Sequence, residues 1–227
     1  MRIAPEIDSV NVVFVGDFNP RIFRPDWFAA QGLLDPQEAE AAEIEVIHSE
    51  LSKFSSDWLT IQVDKRRLIA STEEAPHIRL ADLVARTFGE FLIHTPVHMV
   101  GMNRSVHFNV ANMEKMDKIG KALAPQDAWG EWAPMIEGTP EKHGGLRSLT
   151  MEQVNLEDRE KGSIRAKVEP SSLVKFGVIV DVNDHYELSA PGESVGCASA
   201  VELITQGFER SIQRSAWIID QVMALAD

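Results

Sequence analysis

Apolar and polar residues alternate along several short segments of this chain, and such alternation is typical of β-strands that bury one face. Glycine, proline, asparagine and aspartate separate these segments, as they do between the strands of a sheet. The pattern predicts strands at residues 10–18, 44–51, 58–63, 68–71, 97–110, 146–154, 163–169 and 175–183.

Two longer segments repeat their apolar residues every three or four positions, which is the spacing of one helix face. The first covers residues 78–94 and stops before Pro96, because a helix interior does not accommodate the proline ring. The second covers residues 199–225 near the end of the chain. A shorter helix is predicted at residues 112–124, with Met113 and Met116 on its inner face.

Strands that follow one another through short connections favour antiparallel pairing. The sequence therefore predicts an α+β fold: a mainly antiparallel sheet with two long amphipathic helices packed on it. Strands precede a long helix in both parts of the chain, which leaves open two similar sheet-plus-helix halves. These would cover residues 1–124 and 146–227, joined by a Trp/Gly/Pro-rich connection at residues 125–145, with a single compact domain over residues 1–227 as the alternative.

The charge and composition narrow the classes of partner. A formal net charge of -13 repels phosphate backbones and anionic lipid surfaces, so we expect neither nucleic-acid nor membrane binding. The start of the chain lacks the pattern of a secretory signal, and the single cysteine cannot form an internal disulfide. These features together favour the cytoplasm. No strand is followed by a glycine-rich phosphate loop, and no cofactor is predicted.

Acid–base and metal-binding side chains are densest after the apolar strand at residues 175–183. Asp181 lies within this strand, and Asp184 and His185 follow it directly. Carboxylates beside an imidazole can orient it as a base, and Asp184 with His185 could ligate a divalent metal. The competing interpretation is structural, because Asn183 and Asp184 are also typical turn residues.

Three further features carry weaker chemical hypotheses. Cys197 precedes the last helix, where a helix N-terminus can activate a thiol, although packing of a small side chain is the simpler explanation. His94 and His98 have the spacing of zinc ligands on a helix, but Pro96 lies between them. Arg104 shares a strand face with apolar residues, so it could bind an anionic ligand, although we expect an internal ion pair with an acidic residue such as Asp181.

Four aromatic residues, Trp27, Phe28, Trp129 and Trp132, fall in segments predicted to be irregular. Aromatic side chains in such segments can anchor subunit contacts. They can equally close over an internal core, and the sequence leaves both interpretations open.

Residues 97–104 and 178–187 resemble parts of an uncharacterised bacterial protein family, and residues 24–28 and 54–59 extend the similarity. These segments are scattered over most of the chain, and none is a mechanistic signature. The family has no assigned activity, so the resemblance implies no functional residues.

The leading hypothesis from the sequence is a non-enzymatic protein that works through self-association or through a protein partner. One alternative is a metal-assisted hydrolase centred on Asp181, Asp184 and His185. Another is a small-ligand-binding protein with an apolar pocket between the sheet and the C-terminal helix, in the region of Val178 and Phe208.

Overall fold

The computed structural model describes residues 3–136, 138–139, 142–189 and 196–226. Its centre is one nine-stranded antiparallel sheet. The strands are β1 (Pro5–Gly16), β2 (Glu43–Ile47), β3 (Leu51–Ser55), β4 (Thr60–Asp64), β5 (Arg67–Thr72), β6 (Val97–Asn109), β9 (Leu149–Gln153), β10 (Gly162–Pro170) and β11 (Gly177–Glu187). Their order across the sheet is β2-β3-β4-β5-β1-β6-β11-β10-β9. Two short strands, β7 (Gly138–Thr139) and β8 (Lys142–His143), pair separately.

The helices are α1 (Pro25–Ala30), α2 (Pro36–Ala41), α3 (Ile78–Arg86), α4 (Met113–Leu123), α5 (Ala133–Ile136) and α6 (Ala198–Met223). A π-helical turn, Thr87–Phe91, continues α3. Both long helices pack on the sheet, so the predicted α+β class is confirmed. Among the described residues, no helix has the length and apolar character that a membrane span requires.

The sheet has two different sides. Even-numbered residues of the central strands, such as Val10, Val100 and Val180, are buried beneath α3 and α6, and we call this side the helix face. Most odd-numbered residues of the same strands, such as Asn11 and Asn103, are half-buried on the side that we call the open face. The alternation follows directly from the two-residue period of extended chain.

Two apolar clusters fill the helix face. The first contains Phe14, Phe88 and Phe208, and the second contains Val180 and Ile219. The long helix α6 runs over both, with Phe208 in one cluster and Ile219 in the other. The sheet is likewise continuous from one part of the chain to the other, because β6 and β11 pair over eleven positions, from Gly177↔Asn109 to Glu187↔Met99.

The sequence-based assignment was wrong at residues 44–58. Strands were predicted at residues 44–51 and 58–63, whereas the chain turns at residues 48–50 and β3 occupies Leu51–Ser55. The turn is held by polar groups, since the backbone N–H of His48 donates to the carbonyl of Leu51. Ser52 and Phe54 then point into the core, which fixes β3 as a true strand of the sheet.

Candidate functional site

The point at which β11 ends determines which side of the sheet each of its polar residues faces. The strand continues to Glu187 instead of ending near residue 183. Strand alternation therefore places Asp181 and His185 on the open face, while Asp184 points to the helix face, where it is buried. The structure thus separates Asp184 from the other two predicted site residues. In the part of the chain that the structure describes, no group of three or more His, Cys, Asp or Glu side chains could hold a metal.

The carboxylate of Asp184 is held by three donors on the helix face. Nη1 of Arg159 lies 2.6 Å from one of its oxygens. The hydroxyl of Ser211 donates to the other oxygen at 2.8 Å, and Nη1 of Arg214 lies 3.3 Å from it. Ser211 and Arg214 belong to α6, so this carboxylate links the long helix to β11.

Asp158 completes a group that we call the ion-pair cluster: Asp158, Arg159, Asp184 and Arg214. Asp158 accepts hydrogen bonds from Nε of Arg159 at 2.9 Å and from Nη2 of Arg214 at 2.6 Å. Burial alone would raise the pKa of Asp158, but the hydrogen bonds from Arg159 and Arg214 lower it to about 2. Two carboxylates and two guanidinium groups balance in charge, which makes the burial of this cluster tolerable.

The guanidinium of Arg159 also stacks on the ring of Tyr186, 3.4 Å from the ring centroid. Burial and the neighbouring Asp184 carboxylate raise the pKa of Tyr186 to about 12, so its hydroxyl stays neutral. Gly162 allows the loop that bears Arg159 to pass close to β11. Its φ is +132°, and a Cβ at this position would lie 2.1 Å from the carbonyl oxygen of His185. Only glycine fits where the loop bearing Arg159 enters β10.

A row of asparagine side chains crosses the open face beside Asp181. Nδ2 of Asn183 donates to Oδ1 of Asn103 at 2.6 Å, and Nδ2 of Asn103 donates to Oδ1 of Asn11 at 2.8 Å. Asp181 accepts a hydrogen bond from Ser105 and lies 3.4 Å from Nζ of Lys167. These contacts join β1, β6, β11 and β10 through their side chains. The carboxylate of Asp181, a predicted site residue, thus already has partners within the sheet.

His185 is half-buried on the same open face. Burial lowers its pKa, although Nε2 lies 4.0 Å from an oxygen of Glu187. The neutral imidazole is therefore favoured. In the described part of the chain, no carboxylate holds the ring at hydrogen-bond distance.

Arg104 forms an internal ion pair, as expected, but its partner is Asp8 and not Asp181. Nε and Nη2 of Arg104 donate to the two oxygens of Asp8 at 2.9 and 2.7 Å. The two residues lie on the helix face near the border of the two apolar clusters. The proposed partner was wrong because Arg104 and Asp181 point to opposite sides of the sheet.

Cys197 is a core residue. Its thiol donates to the carbonyl of Phe88 at 3.2 Å and lies 3.4 Å from the carbonyls of Leu92 and Ile93, at the π-helical turn. Burial raises the pKa of this thiol. The packing interpretation is therefore supported, because a buried thiol with a raised pKa supplies little thiolate.

The aromatic residues divide into two pairs. Phe28 is 1% exposed and packs against Phe23 and Phe54, while Trp27 is half-buried against Phe91. Both close over the core. Trp129 and Trp132 are each 55% exposed, and their rings meet edge to face with centroids 5.5 Å apart. Of the four predicted interface residues, these two present most of their surface to solvent.

Trp129 and Trp132 stand beside an apolar pocket of about 350 Å³. The pocket lies on the helix face between α4 and the ends of β10 and β11. Its apolar lining is Met113, Met116, Ile119, Trp129, Trp132, Ile136, Leu146, Val168 and Val178. Val178 was predicted to line a pocket, but the opposite wall is α4 and not the C-terminal helix, and Phe208 does not contribute.

Charged residues form a minor part of the lining of this pocket. Asp117, Lys121, Arg147 and Glu169 contribute to the lining. Glu169 is already 2.9 Å from Nζ of Lys167, whereas no carboxylate of the described residues pairs with Arg147. Arg147 is exposed. The pocket therefore combines apolar walls with one arginine that can receive an anionic group.

A second pocket of about 450 Å³ lies beside the ion-pair cluster. Its lining carries charges of both signs, including Arg159, Lys161, Glu202 and Arg210. Asp158 and Arg159 already satisfy one another there. This pocket offers a ligand less apolar contact than the first.

No family model and no curated protein matches the chain. The resemblance of residues 97–104 and 178–187 to an uncharacterised bacterial family consequently stays a prediction. The geometry of the described residues is what supports a function.

Proposed function

We propose that this protein binds a small amphipathic molecule, with an apolar body and an anionic head, in the pocket between α4 and the sheet. The observation that carries the proposal is the pocket of about 350 Å³ walled by methionine, tryptophan and aliphatic side chains. Pockets of a few hundred Å³ with mostly apolar walls and few polar groups are typical of small-molecule sites.

The walls favour a ligand whose body is hydrocarbon or aromatic. Met113 and Met116 are flexible and polarisable, so they adjust to ligands of differing shape. Trp129 and Trp132 add large rigid surfaces whose exposed area a bound ligand would cover. The favourable free energy of binding comes mainly from removing this apolar surface from water.

Arg147 favours the anionic head. Its guanidinium can donate two parallel hydrogen bonds to a carboxylate. The overall charge of -13 disfavours anions at long range, but salt screens that repulsion beyond about 8 Å at physiological ionic strength. A single local arginine can thus select the head group.

Calorimetric titration with decanoate and with decanol tests both parts of the proposal. The two ligands share a chain and differ in the head group. We expect decanoate to bind the wild-type protein more tightly, and Arg147→Gln to weaken decanoate binding about tenfold or more while leaving decanol unchanged. Arg21→Gln is the matched control, because Arg21 is an exposed arginine that does not line the pocket. Equal decanoate affinity for wild type and Arg147→Gln would contradict the anionic head.

The hydrolase hypothesis finds less support in this geometry. Asp184 is neutralised by Arg159 and Arg214, and it faces away from Asp181 and His185. A divalent ion at Asp184 would have to displace two arginines. Elemental analysis of the purified protein, together with thermal shifts on adding zinc, manganese or magnesium, tests that alternative.

A further inference from the structure

Within the described residues, the nine-stranded sheet ends in two strands that each pair on one side, β2 and β9. The free side of an edge strand presents unpaired N–H and C=O groups, which can pair with another chain. Proteins that do not use such an edge protect it with charge, bulges or proline. The two edges of this sheet differ in that protection.

The β2 edge carries the usual protection. Its five residues include Glu43 and Glu45, and the register shifts between Ile44 and Val46, as at a β-bulge. An irregular strand with two carboxylates pairs poorly with a copy of itself. Ile44 is 55% exposed, but the two carboxylates and the register shift disfavour pairing at this edge.

The β9 edge is regular and nearly uncharged. All five residues, from Leu149 to Gln153, pair with β10 without a shift. Glu152 is its one charged side chain, and it lies 2.7 Å from Nε of Arg165 on the neighbouring strand. Met151 is 66% exposed, and Val154, just beyond the strand, is 55% exposed. Strand geometry and exposed apolar surface thus coincide here.

We propose that β9 pairs antiparallel with β9 of a second copy of this chain, with a twofold axis through Met151. An axis through this central residue lets all five positions pair and extends the sheet from one copy into the other. Met151 then faces Met151 of the second copy on the helix face. The partner of this edge is therefore the protein itself.

The side-chain sequence of β9 suits that register. Thr150 stands opposite Glu152 of the second copy, so its hydroxyl can donate to a carboxylate that Arg165 also neutralises. Leu149 stands opposite Gln153 of the second copy. No two like charges face each other, whereas an axis through Glu152 would place two carboxylates in direct opposition. Because one five-residue edge buries little area, we expect a dissociation constant on the order of 10 μM.

A charge-swap experiment at the twofold axis tests this surface. Sedimentation equilibrium of the full chain over about 1 to 200 μM should show a monomer–dimer equilibrium. Met151→Asp and Met151→Lys should each be monomeric throughout, because like charges would meet at the axis. An equimolar mixture of the two should dimerise again. Circular dichroism should show the same fold for both, since Met151 is exposed.

The other edge supplies the matched control. Ile44→Asp and Ile44→Lys, at an isoleucine of similar exposure on β2, should dimerise like the wild type. A wild-type protein that is monomeric at 200 μM would overturn the proposal, as would a Met151→Asp variant that dimerises normally. Loss of the dimer in the Ile44 variants alone would also overturn it, because self-association would then use β2 and not β9. None of these outcomes depends on whether the pocket binds decanoate.

Discussion

Asp184 and Arg159 form the tightest buried ion pair of the described residues, with 2.6 Å between Oδ1 and Nη1. Both side chains are almost fully buried, and Ser211 and Arg214 of α6 contact the same carboxylate. The pair joins β11, the loop before β10 and the long C-terminal helix. Its arrangement favours a structural role for Asp184.

Asp184→Asn should destabilise the protein by about 3 kcal/mol, because the buried Arg159 and the partly buried Arg214 would lose a charged partner. Asp181→Asn is the matched control on the same strand. Its side chain is partly exposed and its contact with Lys167 is 3.4 Å, so we expect a loss of about 1 kcal/mol or less. Urea unfolding of the three proteins measures both changes. A smaller loss for Asp184→Asn than for Asp181→Asn would contradict the structural role.

The ion-pair cluster should make stability depend on pH in the acid range. The folded-state pKa of Asp158 is about 2, below its ordinary value of 3.8. A lowered carboxyl pKa stabilises the folded state above the unfolded-state pKa, and this stabilisation is lost as pH falls from about 4 towards 2. Solvent screening at the partly exposed Asp158 reduces this stabilisation to about 1 kcal/mol.

Urea unfolding of wild type and Asp158→Asn across this range gives the measurement. We expect a difference in unfolding free energy that is constant between about pH 5 and 7 and shrinks as the pH falls below about 4. Glu157→Gln, at the exposed neighbouring residue, should show no such trend. If the difference in unfolding free energy instead grew as the pH fell, the lowered pKa of Asp158 would be contradicted.

Cys197 should be protected from thiol reagents in the folded protein. Its thiol is buried and hydrogen-bonded to the carbonyl of Phe88, and burial raises its pKa. We expect the reaction with Ellman's reagent to be at least about 100-fold slower in native buffer than in urea. Equal rates in both conditions would show that the thiol is accessible.

The asparagine row should behave as a connected network. Asn103 both donates to Asn11 and accepts from Asn183, whereas Asn11 takes part in one of these bonds. Asn103→Ala should therefore cost about 1 to 3 kcal/mol, and roughly twice as much as Asn11→Ala. A double-mutant cycle from urea unfolding should give a coupling energy between the two positions, and strict additivity would contradict the network.

The sequence predicted the fold class well because local patterns determine it. The alternation at residues 175–183 predicted one buried strand face, which Val178, Val180 and Val182 form. The repeat at residues 199–225 predicted one buried helix face, which includes Ile204, Phe208 and Ile219. The end of β11 was misjudged because Asn183 and Asp184 have turn propensity. Tertiary partners instead keep both residues in the strand: Asn183 donates to Asn103 of β6, and Asp184 is held by the loop and by α6.

The site was harder to predict, because its parts meet only in the folded chain. Arg159 and Arg214 are separated in sequence by 55 positions and meet at Asp158 and Asp184. The buried Ser211 and Ser215 on the inner face of α6 were the one available signal of a polar contact there. The pocket at α4 was not predicted, because one of its walls comes from a helix whose packing the sequence did not specify.

Methyl NMR of the methionine-labelled protein tests ligand binding in the pocket most directly. The chain has eight methionines, of which Met113 and Met116 line the pocket, while Met102 is buried in the first apolar cluster. On titration with decanoate, we predict saturable shifts of the Met113 and Met116 methyl signals and none of Met102. Unchanged Met113 and Met116 signals at saturating decanoate would contradict the proposed function.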